Sequence, residues 1–163
     1  MPTMYEASVP LFLRGLNSLS GLLDKAEPLG ERLLDLTLIE DMRPFKAQVQ
    51  MACFSARACV ARLAGVEWPR TADDEASLDD LRATLKLTID FLESIRPEQL
   101  EGAETRAVSM TLPSLTLNFE GWGYLSSFAL PNFYFHLSMA YALLRREGVE
   151  IGKRDFLGQI ALV

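Results

Sequence analysis

The chain has 163 residues, 49% of them hydrophobic, enough for one domain with a sizeable core and short for two, so residues 1–163 read as a single unit. Sixteen Lys and Arg against 22 Asp and Glu leave a net charge of −6, which argues against binding nucleic acid by phosphate neutralisation. One histidine excludes a multi-histidine metal site within a single chain, and ten Gly with eight Pro exclude a disordered or collagen-like composition.

From the N-terminus, Thr3-Met4-Tyr5-Glu6 fits a capping box and predicts a first helix starting at Thr3. Val9, Leu13, Leu16, Leu19, Leu23 and Ala26 supply its apolar stripe. Pro10 should bend it or loosen its start, and Pro28 with Gly30 should end it. Residues 31–42 read as an irregular or helical connector. Asp41 then looks like an N-cap with Pro44 in the first turn of a second helix, whose core face is Phe45, Gln48, Val49, Ala52, Cys53, Ala56, Val60 and Leu63. Gly65 and Trp68-Pro69 close it.

Ser77-Leu78-Asp79-Asp80 opens a third helix with Leu78, Leu81, Leu85, Ile89, Leu92 and Ile95 inward, and Pro97 stops it. The period then changes to two: Val108, Met110 and Leu112, Pro113-Ser114, then Leu115, Leu117 and Phe119, a small β-hairpin between helices 3 and 4. The last long helix occupies much of 122–147 with a break near Pro131. Arg145 and Arg146 suit its C-terminal dipole and Gly148 its C′ position, and the Gly-rich tail should lie along the surface. The result is an all-α four-helix bundle carrying one hairpin.

Gly121 to Leu144 lacks Asp, Glu, Lys and Arg, yet Asn132, His136 and Pro131 argue for a buried or dimer-interface helix rather than a membrane span. The opening residues lack the basic region and apolar run of a secretion signal. Cys53 and Cys59, six residues apart, lie about 9 Å apart along a helix axis, too far for a bridge, and read as core thiols of a reduced, cytoplasmic protein. The acidic run Asp73, Asp74, Glu75, Asp79 and Asp80 reads as a solvated helix start. Gly148-x3-Gly152-Lys153 lacks the remaining features of a phosphate loop. The aromatic group Trp122, Tyr124, Phe128, Phe133, Tyr134, Phe135 and Tyr141 reads as core or dimer interface.

Four stretches resemble an uncharacterised bacterial branch of the DinB/YfiT-like superfamily: Tyr5-x2-Ser8-Val9-Pro10-x-Phe12-x-Arg14-Gly15-Leu16; Asp41-Met42-x-Pro44 with Gln48-Val49-Gln50; Ala129-Leu130-Pro131-Asn132-Phe133-Tyr134-Phe135-His136; and Gly152-Lys153-x-Asp155-Phe156-Leu157-Gly158. The likeness spans nearly the whole chain. It implies a DinB-like four-helix bundle, commonly dimeric. In the wider superfamily three histidines surround a divalent metal, one on the second helix and an i, i+4 pair on the last, and some branches use the metal to activate a thiol for transfer.

Against that pattern, Asn132 and His136 share a helix face, and Gln48 lies on the core stripe of the second helix. The resemblance makes Gln48, Asn132 and His136 a metal triad with two imidazoles replaced by amides. Amide oxygens are poor ligands for Zn²⁺ or Ni²⁺, so no resident metal or cofactor is expected. Three readings remain: a buried network that satisfies a lone imidazole, a small-ligand cavity centred on Gln48, Asn132, Tyr134 and His136, or catalysis through His136. The leading expectation is a non-catalytic or small-ligand-binding homodimer. The alternative is a metal-dependent, thiol-transferase-like enzyme using His136.

Overall fold

The chain's apolar periodicities and its prolines set the helix boundaries. In the computed structural model, which describes residues 2–160, Glu6 N–H donates to Thr3 Oγ1 (3.2 Å) and Thr3 N–H donates to Glu6 Oε2 (2.8 Å), closing the expected capping box. The box opens a run of turns, and helix α1 (Val9–Ala26) begins at Val9 rather than Thr3. Pro10 has no N–H to continue a ladder from the preceding turns, but it suits the first turn of a new helix. A 3₁₀ segment, Glu27–Leu33, comes next, kinked at Gly30, whose φ of 59° suits glycine.

Helix α2 (Phe45–Ala64) is capped by Pro44, not Asp41: the proline is extended and the helix starts one residue after it. Gly65 ends it in the left-handed conformation, its N–H donating to Ala61 O. Helix α3 (Leu78–Glu93) opens as its sequence predicts, with Asp80 N–H donating to Ser77 Oγ at 3.0 Å. Asp80 in turn accepts from Ala76 N–H at 3.0 Å, one residue before the cap.

Two short 3₁₀ turns lead into an antiparallel pair, β1 (Ala107–Thr111) and β2 (Thr116–Glu120), in which Val108 faces Phe119 and Met110 faces Leu117. Val108 and Met110 are buried and Leu117 and Phe119 half-buried, so one face of the hairpin lies on the helices and the other meets solvent. Helix α4 (Gly121–Tyr124) then runs through a π-turn, Leu125–Ala129, into α5 (Leu130–Arg146). Leu130 N–H donates five residues back to Leu125 O, placing the expected break just before Pro131. The tail, expected to lie along the surface, carries a short helix with no fully buried residue. This helix, α6 (Lys153–Leu157), packs on α1 and sets Phe156 edge-on to Tyr141 at 5.7 Å.

Among the described residues the structure is thus mostly helical with one small antiparallel pair. α2 packs against both α5 and α3, and α1 against α3, α5 and α6. The most buried long helix is α2, with 14 buried residues against six in α5, so of the two expectations for the uncharged stretch, a buried helix or a dimer-interface helix, full burial is not met. The reason is side-chain size: Ala52, Ala56, Ala58, Ala61, Cys53 and Cys59 let neighbours close around α2. The uncharged stretch from α4 into α5 instead leaves Trp122 and Phe135 about half exposed, at 51% and 50%. No described helix is long and apolar enough to cross a membrane.

Candidate functional site

Seven residues on one helix are two turns, and four are one turn. Gln48 and Ser55 therefore share a face of α2, and Asn132 and His136 a face of α5. The two helices pack there with opposite chain direction, so the residues meet as two rungs. In the first, His136 Nδ1 lies 2.8 Å from Gln48 Oε1. In the second, Asn132 Nδ2 donates to Ser55 Oγ at 2.7 Å, and that hydroxyl donates to Met51 O at 2.7 Å.

The first rung fixes a protonation state. Gln48 Nε2 donates to the Arg43 carbonyl at 3.0 Å, and a carbonyl only accepts, so the glutamine must present its oxygen to the histidine. His136 Nδ1 therefore carries a proton and donates it, leaving the lone pair on Nε2. Burial, with the Arg43 charge adding to it, holds the His136 pKa below its ordinary value of 6.5, so the ring is neutral near pH 7. Such a ring, oriented through Nδ1, offers a basic nitrogen on its far edge.

The structure thus joins Gln48 to His136 and Asn132 to Ser55, and it does not join the two rungs to each other by a hydrogen bond. Tyr134 lies elsewhere. It is two residues from His136, about 200° round the helix, and its hydroxyl sits 3.5 Å from Leu11 O on the α1 side, with the ring edge-on to Phe133. As a donor set for a transition ion the cluster fits poorly: one imidazole is available, and the Gln48 oxygen is already engaged by Nδ1–H. Among the described residues no three His, Cys, Asp or Glu side chains gather as a metal site. Cys53 and Cys59 are buried free thiols whose pKa values burial raises, that of Cys53 to about 12, so neither is a thiolate nucleophile near neutral pH.

A second buried polar set lies on the α3 side of α2. Arg57 is 1% exposed and has no carboxylate within ion-pairing distance among the described residues. Its Nη1 donates to Thr88 Oγ1 (2.7 Å) and its Nη2 to Thr71 Oγ1 (3.0 Å), while Nε has no partner. Thr88 donates onward to Thr84 O at 2.8 Å. Glu75, expected on a solvated helix start, is instead buried. It accepts from Thr84 Oγ1 and from Gln50 Nε2, each at 2.5 Å, because the loop before α3 folds back over α2.

The sequence reading missed Ser55, Arg57 and Glu75. Ser55 had a detectable signal, since it lies two turns from Gln48. Arg57 and Glu75 had none, because threonine hydroxyls and the Gln50 amide, not opposite charges, partner them.

The family model described as a domain of unknown function (DUF1993) matches residues 4–157. The crystal structure of a DinB family member protein from Shewanella denitrificans is similar to this one at a TM-score of 0.87 and 32% identity, over 98% of this chain and 94% of that one. No curated protein matches the chain.

Proposed function

The chain belongs to the DUF1993 family and has a DinB-like fold, and on that premise we propose that it is a non-catalytic, small-ligand-binding bundle whose ancestral metal site has degenerated into an amide–imidazole tie. The observation that carries this reading is the 2.8 Å contact between His136 Nδ1 and Gln48 Oε1. An amide occupies the place on the second helix that the superfamily gives to an imidazole ligand. The tie and its neighbour, Ser55 with Asn132, fix the register of α2 on α5. A ligand taken here is small and donates a hydrogen bond to Nε2 of His136.

The finer architecture belongs to the same proposal: one domain over 1–163, four long helices forming the bundle, and a homodimer made through an apolar helix face. Half-exposed Trp122 and Phe135 support the dimer, because large aromatic side chains left in water are typical of interface cores. Two buried free thiols fit a reduced, cytoplasmic setting.

Elemental analysis of untagged protein tests the reading. We expect no stoichiometric transition metal in the wild type and a folded, equally metal-free His136→Ala variant. A one-to-one metal that disappears in His136→Ala would overturn the proposal and favour the thiol-transferase-like alternative. What speaks for that alternative is the free lone pair on Nε2. Light scattering tests the dimer directly.

A further inference from the structure

Away from the α2–α5 seam, a cleft of about 890 Å³ opens between the outer face of α1 and the segment running from α6 to Ile160. The Tyr5–Leu16 and Gly152–Gly158 stretches meet here, and neither takes part in the Gln48–His136 tie. On α1, Arg14, Ser18 and Lys25 are four and seven residues apart and fall on one face. Arg154, Asp155 and Gly158 form the opposite wall, and Leu11 and Ile160 add apolar surface.

Three cations face one carboxylate in this cleft, the reverse of the chain's overall charge of −6. Lys25 and Asp155 neutralise each other at 2.7 Å. Arg14 and Arg154 are exposed, and among the described residues neither guanidinium has an ion-pair or hydrogen-bond partner. Beneath them Ser18 is buried, 7% exposed, and its hydroxyl has no hydrogen-bond partner among the described residues. Gly158 has a φ of 63°, and a Cβ there would stand 2.5 Å from Ser18 Oγ and 3.9 Å from Arg14 Cγ. Gly158 thus lets this wall approach α1 so closely that any side chain there would collide with Ser18 Oγ and crowd the stem of Arg14.

Two unpaired guanidiniums offer fork-shaped donors that match carboxylate and phosphate oxygens, and the volume suits a small organic molecule. We propose that this cleft binds a small organic anion, a carboxylate or phosphate head group on a short apolar body, held between Arg14 and Arg154 with Ser18 as a further donor. The site is independent of His136.

Calorimetric titration of the full chain with hexanoate, hexyl phosphate and hexylammonium tests this. At least one of the two anions should bind saturably at one site per chain, and hexylammonium should not. The doubly substituted Arg14→Gln/Arg154→Gln protein should weaken binding at least tenfold with an unchanged melting temperature, and Ser18→Ala should weaken it several-fold. Hexanoate alone would assign a carboxylate ligand and hexyl phosphate alone a phosphate ester. His136→Ala should bind as the wild type does, so that the fate of this site and that of the α2–α5 reading are read separately. Absence of binding by both anions, or binding that survives loss of both arginines, would overturn the proposal.

Discussion

α2 buries polar side chains on two faces, and the two sets are built differently. Toward α5 the groups are neutral and close in pairs: amide with imidazole, amide with hydroxyl. Toward α3 a buried guanidinium and a buried carboxylate are not paired with each other and are linked through threonines. Neutral pairs cost little to enclose once their hydrogen bonds are made, whereas an enclosed ion carries a penalty of several kcal/mol that its partners must offset. The α3 side is therefore where the fold is most vulnerable, and the α5 side is where the proposed remnant of a metal site lies. A helix lined with Ala and Cys tolerates both, because its neighbours come close enough that, among the described residues, Arg57 Nε is the one fully enclosed side-chain polar atom of α2 without a partner.

The largest effect should come from Arg57→Ala. It removes the guanidinium and its long apolar stem together, leaving Thr88 and Thr71 without their donor, and should cost about 3–5 kcal/mol in urea unfolding. Arg57→Met restores the packing and should recover a good part of that loss. A cost below about 1 kcal/mol for the alanine variant would erase the contrast between the two sides.

Gln48→Leu should cost less, about 2 kcal/mol, by stranding the Nδ1–H of His136. Adding His136→Leu to it should cost clearly less than the two single changes summed, because both partners are then gone. A double-mutant cycle measures the coupling, and strict additivity would mean that the 2.8 Å contact contributes nothing. Asn132→Ala should be milder still, about 1 kcal/mol, since Ser55 keeps its bond to Met51 O.

The subtlest effect is in pH. With its folded pKa held below 6.5, His136 binds its proton less readily in the native state than in the unfolded chain. Its contribution is fully present above pH 6.5 and is lost as pH falls from there through the depressed native value. The wild type should therefore lose stability toward acid more steeply than His136→Gln over that window. Chemical denaturation at stepped pH reads the two slopes, and parallel slopes would remove the argument for a neutral ring.

Much of the frame is legible in the sequence because local chemistry dictates it. Ser77 caps α3, Gly65 ends α2, Gly148 follows α5, and alternation around Pro113-Ser114 marks the hairpin. Sequence and structure part where two residues compete for one role, as with Asp41 and Pro44, or where a proline divides a helix start, as Pro10 does. The site is legible only by halves. Spacing tells that Asn132 and His136 share a face, but which residue of the opposing helix each one meets depends on how far one helix slides along the other. That slide gives Gln48 to His136 and Ser55 to Asn132. Tyr134 sits in the same stretch as both, and the helical period turns it toward α1.

The π-turn at Leu125–Ala129 carries a consequence of its own. It winds one residue more into the helix than regular geometry allows, and each residue is about 100° of rotation. Everything upstream, Trp122 and the hairpin that joins α4 at Glu120 without a gap, is thereby offset in phase from the stem of α5. Deleting one residue from that turn would turn hairpin and indole about the axis, leave the tie to α2 in place, and cost the seat of Gly121 against the Ala103 carbonyl. The bundle thus carries its appendage on an indexed joint, set by the one extra residue in that turn.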